Sequence, residues 1–106
     1  MEAALKAIAE PRRRQILSLV RDAELSAGQI SAHFDVTRPA ISQHLAVLKQ
    51  AGLVSERRSG TRRLYQARPE GLAELRTFLE GFWDAKLDKL RREAERKEGG
   101  GSGRSR

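Results

Sequence analysis

The chain has 106 residues, 39% of them apolar, which is enough for one small domain and too few for a catalytic domain with a separate regulatory one. Its 21 Lys/Arg against 14 Asp/Glu give a formal charge of +7 and point to a polyanionic partner, while the absence of cysteine excludes disulfides and thiolate metal sites. No apolar run approaches the ~20 residues that cross a bilayer, and residues 1–6 lack the order of a secretion signal, so a soluble cytoplasmic protein without a membrane partner is expected.

The charge is unevenly placed. Residues 1–68 hold twelve Lys/Arg and six Asp/Glu, whereas residues 69–98 hold seven and eight. The basic surface therefore belongs to the first two thirds, and the nearly neutral last segment must serve another purpose.

Residues 3–9 read as a short helix with Leu5 and Ile8 three apart, closed at Glu10-Pro11 because the residue before proline is pushed out of helical geometry. Pro11 opens a second helix in which Ile16, Leu17, Leu19 and Val20 recur at helical spacing. Arg12, Arg13 and Arg14 fill its first turn, where positive charge opposes the helix dipole, so a purely stabilising role for all three is not expected. Ser26 is predicted to cap a third helix running to Phe34, and Thr37 a fourth with Pro39 in its first turn and an apolar stripe of Ile41, Leu45 and Leu48. That helix stops at Ala51-Gly52, where glycine can take the left-handed conformation. Helix, short connection and helix make the helix-turn-helix outline.

Residues 53–58 and 62–67 flank Ser59-Gly60, read as a hairpin turn that sets Val54 opposite Tyr65 and Ser55 opposite Leu64. A two-stranded ribbon is marginal in water and must lie against the helices. Pro69 and Glu70 open the longest helix, predicted to reach about Lys97, with Leu72, Leu75, Leu79 and Phe82 stepping by three and four. Phe78, Trp83, Leu87 and Leu90 widen this stripe, and Asp88 and Arg92 stand at supportive i, i+4 spacing. The Gly/Ser/Arg-rich residues 99–106 are expected to be a disordered tail, leaving residues 1–98 as one domain. The predicted fold class is mainly α with a small β-hairpin, a winged helix-turn-helix in the order ααααββα.

A helix that reads bases presents short polar or forked side chains at its N-terminal end. With Ile41, Leu45 and Leu48 turned inward, Arg38, Ser42 and Gln43 point outward, Arg38 suiting guanine or phosphate and Gln43 suiting adenine. Arg57, Arg58, Arg62 and Arg63 crowd the hairpin tip, too many like charges for a stability device, and suit a wing laid along a nucleic-acid backbone. The stripe on the last helix is more apolar surface than one small winged domain covers alone, and the cheapest partner is a second copy. A two-fold dimer would space two recognition helices roughly 34 Å apart and call for an inverted-repeat operator.

Catalysis is not expected: Ser42 and His44 point in different directions from one helix, and arginine cannot act as a base near neutral pH. The rival reading is a winged helix that binds a protein or RNA. The arginine wing beside a polar helix face favours duplex DNA, and single-stranded RNA would call for exposed aromatics.

Three stretches, residues 7–17, residues 41–54 with Ile41-Ser42-Gln43-His44-Leu45 at their head, and residues 57–65, resemble the arsenical-resistance repressor (ArsR) family over nearly everything except the tail. The resemblance implies a winged-helix homodimer, built from the first and last helices, that binds operator DNA and represses transcription. It further implies Ser42 and Gln43 as base readers with Thr37 and Arg38 near phosphates. The expected DNA-facing set is Thr37, Arg38, Pro39, Ser42, Gln43, Arg57, Arg58, Thr61, Arg62 and Arg63, and the expected dimer set is Leu5, Ile8, Leu72, Leu75, Phe78, Leu79, Phe82 and Trp83. Metal-sensing members of the family use cysteines on the third helix or His and carboxylate pairs on the last, and this sequence has neither. Its two histidines, His33 and His44, fall on different helices, so no metal or other cofactor is expected, and no residue identifies a small-molecule inducer.

Overall fold

The computed structural model describes residues 1–98, apart from the side chains of residues 83–86, 97 and 98; the tail from residue 99 and the Trp83 side chain lie outside the described residues. In chain order the elements are α1 (Glu2–Ile8), α2 (Pro11–Asp22), β1 (Leu25–Ser26), α3 (Ala27–Ser31), α4 (Arg38–Gln50), β2 (Val54–Ser59), β3 (Arg62–Ala67) and α5 (Pro69–Glu98). The chain divides into two compact units, Met1–Leu75 and the part from Arg76 onward, so the boundary falls inside α5.

The first unit is the winged helix-turn-helix. Its core is formed by Ile16 and Val20 of α2, Ile30 of α3, Ile41, Leu45 and Leu48 of α4, and Leu53 and Val54 at the entry to the hairpin, all buried. Helix α4 is central, packing on α1, α2, α3 and β2. Helix α1 turns Ala4 and Ala7 inward, while Leu5 and Ile8 stay half-buried, because small side chains let a short helix approach closely.

Three expectations are corrected. The sheet has three antiparallel strands in the order β1-β3-β2, since Leu25 and Ser26 pair with Tyr65 and Leu64. A two-residue strand is too short for alternation to reveal. Helix α3 starts at a reciprocal capping box of Ser26 and Gln29 and ends already at Ser31, where i→i+3 bonds from His33 and Phe34 tighten the exit. The hairpin pairs Ser59 with Arg62, so its loop is Gly60-Thr61, and Val54 faces Ala67 and Ser55 faces Gln66 instead of Tyr65 and Leu64. Gly60, at φ +64°, holds the first central position, where glycine takes a positive φ without steric cost. The register moves by two residues, which preserves the face of every side chain.

The arginines of α2 have structural partners that their sequence pattern did not show. Arg13 Nε donates to the Ala7 carbonyl at 2.7 Å, a second Arg13 nitrogen to the Lys6 carbonyl at 3.3 Å, and Arg14 to the Ile8 carbonyl at 2.7 Å. They thus satisfy carbonyls that the end of α1 leaves open. The dipole conflict is offset by Glu10, whose carboxylate accepts from the Arg12 and Arg13 amides at 2.7 and 3.3 Å. Burial works against ionisation of Glu10, but those two amides and nearby positive charge outweigh it and hold the carboxyl below its ordinary value. Arg12 lies 5.0 Å from the centre of the Phe34 ring, a cation–π contact.

A close backbone approach joins α5 to the end of α4. A Cβ on Gly71 would stand 1.9 Å from the Gly52 carbonyl oxygen, and Gly52 itself has φ +78°. Only glycine serves at Gly71, and Gly52 needs its left-handed turn to end α4. Along the rest of α5 the ion pairs among the described residues are Arg76–Glu80 at 2.8 Å and Asp88–Arg91 at 3.1 Å; Asp88 takes Arg91, at i+3, in place of Arg92.

Candidate nucleic-acid interface

Thr37 caps α4, its hydroxyl accepting from the Ala40 amide at 3.3 Å, and Pro39 follows in the first turn without needing an amide partner. Ile41, Leu45 and Leu48 face the core, and the adjoining face carries Arg38, Ser42, Ala46 and Lys49 at steps of four and three. The hairpin rises beside this face. Between them lies a concavity of about 610 Å³ lined by Arg38, Ser42, Leu45, Ala46 and Lys49 of α4, by Glu56, Thr61, Arg62, Arg63 and Tyr65 of the wing, and by Ser26 and Ala27.

All ten residues expected to face DNA are exposed. Five of them, Arg38, Ser42, Thr61, Arg62 and Arg63, line the concavity together; Thr37, Pro39, Gln43, Arg57 and Arg58 do not. Gln43 follows Ser42 by one residue and so faces about 100° away around the helix. The Arg38 guanidinium lies over Gly28, its Cζ 3.5 Å from where a Cβ there would stand, which braces it against α3.

The four wing arginines are not equivalent. Arg57 makes a two-pronged pair with Glu24, both bonds 2.7 Å, tying the hairpin to the segment before β1. That hydrogen-bonded pairing lowers the Glu24 pKa and raises that of Arg57, so Arg57 has a structural part that its place in the tip cluster did not suggest. Arg63 lies 3.2 Å from Glu56. Among the described residues, Arg58 and Arg62 have no carboxylate within ion-pair distance.

Two charged side chains of the concavity escaped the sequence reading. Lys49 is seven residues beyond Ser42, on the same helical face, a spacing that could have placed it. Glu56 is the lone acid of a basic hairpin, and its carboxylate bonds Lys49 at 2.5 Å. The Lys49 bond is the main cause that holds Glu56 below the ordinary carboxylate range, and burial, with the Glu56 charge, raises the Tyr65 phenol.

On α5, Leu75 is 6% exposed and belongs to the core of the chain itself, leaving little for a partner, and Leu72 and Leu79 are half-buried. Phe78, Phe82, Leu87 and Leu90 are 44, 51, 50 and 59% exposed. The histidines are engaged separately: His44 Nδ1 lies 3.3 Å from an Arg13 guanidinium nitrogen and His33 Nδ1 3.1 Å from the Gln29 carbonyl oxygen. Among the described residues, no three His, Cys, Asp or Glu side chains come together as a metal group.

The family profile of bacterial regulatory proteins of the arsR family matches residues 10–56, from the α2 cap to β2. An HTH-type transcriptional regulator of Mycobacterium tuberculosis is 48% identical over 84 residues, 79% of this chain and 78% of the relative. The chain belongs to the arsR family. Within it, the transcriptional repressor SdpR of Bacillus subtilis is 45% identical over 60 residues, 57% of this chain and 67% of that protein. The fold matches the solution structure of the homodimeric winged helix-turn-helix DNA-binding domain of a Mycobacterium bovis protein, with a TM-score of 0.65 and 34% identity over 78% of this chain and 77% of that one.

Proposed function

We propose that this arsR-family chain is a sequence-specific transcriptional repressor that binds an inverted-repeat operator as a homodimer and acts by occupying the promoter. The observation that carries the reading is the shared concavity: the exposed N-terminal face of α4 and the tip of the wing line one basic surface. In it, Ser42, with Gln43 on the adjoining face, reads base edges from the major groove, while Thr37, Arg38 and Pro39 lie along the phosphates. Arg58 and Arg62, with Thr61, supply backbone contacts from the wing that add affinity without sequence information. The relative named as a repressor and the homodimeric solution structure support the sign of regulation and the assembly.

A second copy covers the exposed apolar residues of α5, Phe78, Phe82, Leu87 and Leu90, together with Leu5 and Ile8 of α1. The work is regulatory and not enzymatic, and it is done in the cytoplasm; no helix among the described residues is long and apolar enough to cross a membrane. The test is selection from a random duplex library at near-physiological salt. Enrichment of an inverted repeat with half-sites about one helical turn apart is expected. Retention without enrichment would make the chain a backbone-only binder and refute the assignment of Ser42 and Gln43.

A further inference from the structure

A surface built to meet phosphates has little reason to keep a carboxylate, yet the concavity that holds Arg38, Lys49, Arg62 and Arg63 also holds Glu56. Its side chain is only 13% exposed, and it cannot swing into solvent without giving up several partners. One oxygen accepts from Lys49 of α4, at 2.5 Å, and the other lies 3.2 Å from Arg63 and 3.5 Å from the Tyr65 hydroxyl, both on β3. The carboxylate thus bridges the last turn of α4 and the wing, and it stands between two of the four cations.

We infer that Glu56 is a specificity-determining residue: it stands in for phosphate between Lys49 and Arg63 and so holds down the affinity of this surface for DNA of arbitrary sequence. Resting on the DNA-binding reading, this follows from how the two kinds of contact scale. Backbone affinity grows with each cation free to displace a counterion, whereas base readout by Ser42 and Gln43 does not. Neutralising Lys49 and Arg63 internally removes contacts that every sequence would share and leaves those that differ between sequences. Glu56 also sets the pitch of the wing against α4, but a bridge that only positioned the wing would leave the salt dependence of binding unchanged.

The experiment compares the full-length chain with Glu56→Gln and Glu56→Asp, titrating the selected operator duplex and a random-sequence duplex over a series of salt concentrations. Glutamine keeps the shape and can still accept from Tyr65 while removing the charge. The expected result for Glu56→Gln is a steeper salt slope on random duplex, by about 0.9 for each cation released, with a gain in affinity larger on random duplex than on operator. Glu56→Asp, which keeps the charge, is expected to return the slope to that of the unmodified chain. A parallel change on both duplexes at constant slope overturns the inference and leaves Glu56 a positioning residue. Should Glu56→Gln not fold, Lys49→Gln replaces it: a slope change smaller than that of Arg62→Gln is expected, and an equal one overturns the inference. If the unmodified chain binds no duplex, the DNA-binding reading falls and this inference with it; unaltered slopes in a chain that does bind refute Glu56 alone.

Discussion

Helices α4 and α5 carry apolar residues at the same three-and-four period, yet Ile41, Leu45 and Leu48 of α4 are fully buried, whereas Phe78, Phe82, Leu87 and Leu90 of α5 remain about half exposed or more. Periodicity tells which side chains share a face; it does not tell what covers the face. For α4 the cover is α1, α2, α3 and β2 of the same chain. For α5 the proposed cover is a second copy. The contrast also separates two energies: burial on α4 stabilises the fold at any concentration, and burial on α5 stabilises only where two chains meet.

The same truncation on the two helices should therefore act differently. Leu45→Ala is expected to cost about 2–5 kcal/mol of fold stability, from lost burial and the cavity left behind. Leu90→Ala should leave the stability of the dilute chain nearly unchanged and shift dimerisation to higher concentration. Denaturant titrations at two protein concentrations check both, and a concentration-independent loss for Leu90→Ala would place that residue in the chain's own core.

Where α4 hands over to α5, the backbone contact at Gly71 is expected to make Gly71→Ala costly. The new Cβ would meet the Gly52 carbonyl, which belongs to a backbone turn and cannot rotate aside. A loss of about 1–3 kcal/mol is anticipated, as for other overpacked sites; a thermal melt unchanged from the unmodified chain would show that the first turn of α5 adjusts freely.

On the exposed face of α4, Gln43→Ala should lower discrimination between operator and random duplex by about 1–3 kcal/mol, the scale of one well-formed base contact. Replacing both Arg58 and Arg62 by alanine should weaken all sequences alike and flatten the salt slope. Competition binding at several salt concentrations distinguishes them, and equal loss of discrimination from both would refute the division of labour between helix and wing.

The smallest effect concerns acid. Glu24 and Glu56 are held below the ordinary glutamate value in the folded chain, mainly by hydrogen bonds from Arg57 and Lys49. A carboxyl with a depressed folded pKa contributes stability above its unfolded value and loses it as pH falls through the folded one. The melting temperature should accordingly drop as pH falls below the usual carboxylate range, and Glu56→Gln should drop less steeply. A steeper fall in that variant would contradict the assigned sign.

Features carried by neighbours in sequence were readable beforehand. The Thr37 cap, Pro39 in the first turn, the stripe of α4 and the extent of α5 each rest on residues within a turn or two of one another. Even the hairpin was placed correctly as an element, and its register slipped because Gly60 fits either central position of a two-residue turn, with Ser59 before it or Thr61 after it. What escaped was non-local. Arg57 and Glu24 lie 33 residues apart, Gly71 and Gly52 lie 19 apart, and Arg13 reaches His44 31 residues away. Charge alone does not sort the arginines of α2 and of the wing; their partners separate those that hold the fold together from those left for a ligand.

The central claim is that two chains read one site, and the mass of the complex tests it most directly. Sedimentation of the full chain with a duplex carrying the selected site should give two chains per duplex, with both half-sites needed for the full mass. A complex of one chain per duplex at saturation would contradict the account, since a single chain would then read its site with the apolar face of α5 still exposed.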